Sequence, residues 1–120
     1  MKKLFSIFLI FFAFLVSAQA DAPEIDGLVY ENETALQYAQ GFHLYRYQGG
    51  FTLISITDGA DFLVIPEGAD VPENLGSIIP LQQPLSRIYL AATSAMSLFD
   101  AVDAVDCIRL SGAEESSWYI

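Results

Sequence analysis

The chain has 120 residues, 15 acidic and five basic, for a formal net charge of −10. All the acids but only three basic residues, Arg46, Arg87 and Arg109, follow position 20, so that stretch carries −12. So acidic a surface repels phosphate backbones and disfavours nucleic acid as a partner. With 53% apolar residues the chain is not of the disordered type, and its length allows one small domain.

Met1-Lys2-Lys3 is a short positive start, followed by the nearly unbroken apolar run Leu4 to Val16 and then Ala18-Gln19-Ala20. This order of parts reads as a secretory signal peptide over residues 1–20. A helix made of the run would span about 20 Å, short of the roughly 30 Å hydrocarbon core that a membrane anchor must cross. The cleavage region has no Cys, so the expected product is exported to the periplasm or outside the cell and is not lipid-anchored. Cys107 is the only cysteine, and it cannot form an internal disulfide.

Asp21 to Asp26 is polar and reads as a flexible lead-in. Glu31 to Gln40 has weak helical spacing that ends at Gly41, so a short helical turn is expected there. The lead-in as a whole covers residues 21–41, and the folded part covers 42–120. From Phe42 the period is two. The runs Phe42–Tyr47, Phe51–Ile56 and Phe62–Ile65 are separated by Gln48-Gly49-Gly50 and by Thr57-Asp58-Gly59-Ala60, which predicts an antiparallel meander. Pro66, Pro72, Pro80 and Pro84 punctuate a loop with one short strand near Ile78–Leu81.

Ile88–Ala91 reads as a strand. Thr93 or Ser94 is a suitable N-cap for an amphipathic helix whose apolar stripe is Leu98, Phe99, Val102 and Val105, with Asp100, Asp103 and Asp106 opposite. Cys107–Leu110 is a further strand. Strand, helix and strand make a βαβ unit with parallel strands. The fold class is therefore α/β: an antiparallel meander followed by a strand-helix-strand unit.

Few groupings could carry chemistry. His43, the sole histidine, sits in an alternating strand and reads as a solvent-facing side chain or one lying against a tyrosine. No nucleophile–base set is visible, and metal ligation needs more His or Cys than are present. Cys107 reads as a small core residue, and the three aspartates as a solvated face. The reading is therefore not an enzyme, with no catalytic residue, metal site or cofactor. The suggestive place is Thr93, Ser94, Ala95 and Met96, between the carboxyl end of a parallel strand and a helix N-terminus, where open α/β sheets bind ligands. An ordinary N-cap is the alternative. Trp118 and Tyr119 could form an aromatic wall or simply pack on the domain.

The run Gln83-Pro84-Leu85-Ser86-Arg87-Ile88-Tyr89-Leu90-Ala91-Ala92-Thr93-Ser94, its helix, and Cys107-Ile108-Arg109-Leu110-Ser111 resemble the start of the periplasmic substrate-binding domain of ABC importers for iron–siderophore, haem or cobalamin complexes. The Tyr-rich strands and Val64 to Pro72 resemble the N-terminal extension of some bacterial members. The resemblance implies two α/β lobes that clamp a metal chelate, with this chain as the N-terminal part of the first lobe. It implies Thr93, Ser94, Ala95, Met96, Trp118 and Tyr119 as ligand-binding residues, a siderophore, haem or corrinoid as ligand, and an ABC permease as partner. The alternative is a small secreted interaction module with no small-molecule ligand.

Overall fold

The computed structural model describes residues 22–118 and residue 120. The expected signal peptide and Tyr119 lie outside the described residues. Two sheets are formed. The first has five strands in sequence order: β1 (Tyr30–Glu33), β2 (Phe42–Tyr47), β3 (Thr52–Ile56), β4 (Asp61–Ile65) and β5 (Ile79–Gln82). The second pairs β6 (Ile88–Leu90) with β7 (Ile108–Ser111), and the helix α1 (Met96–Ala101) lies between them in sequence.

The expected meander is present, with β2, β3 and β4 pairing antiparallel. Its turns follow from backbone freedom. Gly49 and Gly50 have φ of 81° and 84°, a region glycine enters without a Cβ penalty, and the turn is closed by the Tyr47 N–H donating to the Phe51 carbonyl at 2.9 Å. In the next turn Asp58 takes φ 55°, as short polar side chains tolerate.

The meander extends at both ends. Residues 31–40 contain no helical turn, contrary to expectation; Tyr30–Glu33 is a strand antiparallel to β2. The helical spacing there was weak, and cross-strand pairing outweighs it. The lead-in is docked rather than flexible. Ile25 is buried in the core, the Tyr47 hydroxyl donates to the Pro23 carbonyl, and the Gln48 N–H donates to the Val29 carbonyl at 2.8 Å. At the other end β5 pairs parallel with β4. The connection, residues 66–78, has the length that a parallel crossover needs but forms no helix.

Register places the core. Tyr45 lies opposite Leu53, and Leu53 opposite Leu63. These three, with Tyr47, Ile65 and Ile25, are the buried cluster, and Leu28, Phe51, Ala69, Leu75 and Ile78 pack against it. Tyr30 meets Tyr47 edge-on at a ring separation of 6.0 Å, a favoured aromatic geometry.

The strand-helix-strand unit is parallel, as expected. Its helix is shorter than the predicted one. The Asp103 N–H donates to the Asp100 carbonyl and the Ala104 N–H to the Phe99 carbonyl, with Asp103 at φ 54°. This paired closure is a Schellman ending with aspartate in the left-handed position usually held by glycine. The predicted apolar stripe is accordingly only partly covered, with Phe99 and Val105 half-buried. Leu98 and Val102 are 68% and 70% exposed, whereas Met96 is wholly buried. Among the described residues no helix is long and apolar enough to cross a membrane.

Candidate functional site

The loops that follow β6 and β7 lie side by side. The Gly112 N–H donates to the Leu90 carbonyl at 2.9 Å, and a Cβ on Gly112 would stand 2.8 Å from the Ala91 carbonyl oxygen. Only glycine permits so close a backbone approach, and it holds the carboxyl ends of the two parallel strands together.

The structure distributes the predicted ligand residues unevenly over these loops. Thr93, Ser94 and Ala95 form a 3-10 turn directly after β6. Thr93 and Ala95 are half-buried, and Ser94 is exposed. Neither hydroxyl caps the helix: Ala92 precedes the 3-10 turn, Ala95 occupies the N-cap of α1, and neither position has a side-chain capping bond. Met96 is enclosed and cannot present its side chain to a ligand. As the first residue of α1 it turns inward, because the apolar surface it covers lies over the turn before it. Trp118 is half-buried, and its indole N–H donates to the Ala113 carbonyl of its own loop at 3.3 Å.

The other candidates take quiet positions. His43 is exposed, with Nδ1 2.8 Å from Glu33 Oε1 and its ring stacked on Tyr45 at 5.8 Å. Cys107 is half-buried at the end of a 3-10 turn, not in the strand expected to hold it. Asp100, Asp103 and Asp106 are exposed. Among the described residues no group of three or more His, Cys, Asp or Glu is placed to hold a metal ion.

Sequence reasoning did not find one concavity among the described residues. An open groove of about 670 Å³ lies between the turn at Asp26–Leu28, Phe51 and the segment Asp70–Asn74. Its walls are tied by the Asn74 side-chain amide donating to Asp26 Oδ2 at 3.2 Å. The available signal was the long crossover loop after β4, since irregular connections of that length are uncommon and often functional. A second hollow runs along residues 22–28 to Tyr47. Burial, with Tyr30, Tyr45 and Asp61 nearby, raises the Tyr47 hydroxyl above its ordinary pKa of 10.0. The phenol therefore stays protonated and can donate to Pro23.

No protein-family model matches the chain, and no curated protein and no solved structure matches it either.

Proposed function

We propose that the chain carries the N-terminal part of one lobe of an extracytoplasmic solute-binding component of an ABC importer. Its ligand is a metal chelate of the siderophore, haem or corrinoid kind, and its partner is the importer's permease. The resemblance of residues 83–111 is the starting point. The observation that supports it most is the parallel pairing of β6 with β7, with their carboxyl-end loops in contact through Gly112 and Ala91. Ligands in open α/β sheets sit outside that end of the strands. There Thr93 and Ser94 offer hydroxyls and Ala95 allows close approach, while buried Met96 anchors the turn from below. Trp118 supplies an aromatic surface at the end of the neighbouring loop, and a flat macrocycle could rest against its exposed part.

The test is a titration of the ¹⁵N-labelled protein with haemin, cyanocobalamin and ferrichrome. Saturable shifts of the Thr93, Ser94 and Ala95 amides and of the Trp118 indole are expected with one of the three. The sole tryptophan makes that last signal unambiguous. Absence of shifts with all three at millimolar ligand, or shifts confined to the five-stranded sheet, would overturn the reading.

The second reading is a secreted interaction module without a small-molecule ligand. It is supported by the separate core of the five-stranded sheet, which needs nothing from β6 or β7.

A further inference from the structure

The groove beside the long crossover loop has two chemical characters. Leu28, Phe51, Val71 and Pro72 give it an apolar lining, and Asp26, Asp70 and Glu73 give it negative charge. Leu28 and Phe51 belong to the packed layer around the core, so that part of the lining is rigid. Val71, by contrast, is 50% exposed on the loop.

The charge on the groove is not balanced among the described residues. The cationic side chains among the described residues are Arg46, Arg87 and Arg109, and none of them lines the groove. Arg46 is directed elsewhere, donating to Thr34 Oγ1 and Thr52 Oγ1. Among the described residues the only ion pair is His43 with Glu33, so Asp26, Asp70 and Glu73 have no cationic partner. Three uncompensated carboxylates over a low-dielectric lining create a negative potential that favours a cation.

The shape of the groove limits what that cation can belong to. Small-molecule sites bury most of their ligand's surface, and this groove is open. An extended segment can lie along it without being enclosed, with alternate side chains directed to opposite sides. We propose that the groove is a docking surface for an extended segment of a partner protein in which lysine or arginine alternates with apolar residues. The apolar side chains settle on Leu28, Phe51 and Val71, and the cationic ones face Asp70 and Glu73. This proposal deepens the interaction-module reading and is independent of the loops after β6 and β7, so its failure leaves the chelate reading untouched.

The experiment measures binding of a fluorescein-labelled peptide alternating Lys and Leu by anisotropy, with amide shifts of the ¹⁵N-labelled protein to locate it. Shifts at Gly27, Val71, Glu73 and Asn74 are expected, together with loss of binding when Glu replaces Lys in the peptide. The double variant Asp70→Asn/Glu73→Gln should weaken binding about tenfold or more, as loss of facing charges across an interface does. The control variant Asp100→Asn/Asp106→Asn removes the same charge from another surface and should change binding by less than about twofold. Equal weakening by the two double variants would reduce the effect to net charge and overturn the proposal. So would shifts confined to β6, β7 and their loops. Full competition by free spermidine at the same concentration would make the groove a small-cation site and overturn the peptide assignment.

Discussion

The five-stranded sheet and the β6–β7 unit solve the same problem with unequal success. The sheet buries six side chains in one cluster. The β6–β7 unit buries only Leu90 and Met96, and leaves Tyr89, Leu98, Val102 and Leu110 exposed. The difference follows largely from how many strands share one face, five in the first sheet and two in the second. Antiparallel neighbours join through tight turns, so β2 to β4 assemble from adjacent sequence and can keep one face in water. A parallel pair expects cover on both faces and further strands beside it. Among the described residues one six-residue helix accompanies the pair, and Tyr89 stands opposite Leu110 with both exposed. Length alone therefore does not make one uniform domain: the buried core is concentrated in the five-stranded sheet and the lead-in docked on it.

The largest expected effect is the contrast between two truncations. Leu63→Ala, at a wholly buried position central to the sheet, should lower the unfolding free energy by about 3 kcal/mol in urea titrations. Met96→Ala, equally buried, should instead speed hydrogen exchange across β6, α1 and β7 while leaving amide protection in β2 to β4 unchanged. If Met96→Ala lowers protection equally in both regions, the two are one cooperative unit and the comparison breaks.

A middle-sized effect comes from Tyr47. Its hydroxyl ties the lead-in to the sheet, and Tyr47→Phe should cost about 1 kcal/mol near neutral pH. Burial raises its pKa in the folded state above 10.0. The stabilisation is therefore complete below that ordinary value and is lost as pH rises towards the raised one, because the unfolded chain releases its proton first. Denaturation curves from pH 8 to 11 should show stability falling at the alkaline end, and Tyr47→Phe should flatten that fall. An unchanged slope would mean that the other tyrosines carry it.

The smallest effect is expected at the exposed pair on β1 and β2. Glu33→Gln removes the partner 2.8 Å from His43 Nδ1. It should change stability by less than about 1 kcal/mol, since exposed ion pairs contribute little. A loss well above that figure would show that β1 is held chiefly through this contact and not through its ladder.

How much was legible depends on how local the cause was. The period-two pattern of Phe42 to Ile65 and the glycine turns specify the meander in sequence, because alternation and turn chemistry act over a few residues. The parallel direction of β6 and β7 was likewise readable from an intervening helical stretch. Missed were β1, the docking of Ile25, and the end of α1. In the last case the apolar spacing of Leu98, Val102 and Val105 pointed to a longer helix. The closure at Asp103 cut it off, and aspartate in the left-handed region is a weak sequence signal beside glycine. At the candidate site the same limit applied: the sequence located the Thr93–Met96 turn but could not show that Met96 faces inward.

The sequence by itself therefore determined the charge, the alternation, the turns and the order of elements, all of which depend on neighbours along the chain. Tertiary structure alone decided that residues 22–28 close over the core, that β5 runs parallel to β4, and that residues far apart in sequence, Asp26 and Asn74, meet across a groove. Those outcomes depend on which surfaces remain uncovered once the meander has formed. That is a property of the packed sheet, and no single segment encodes it.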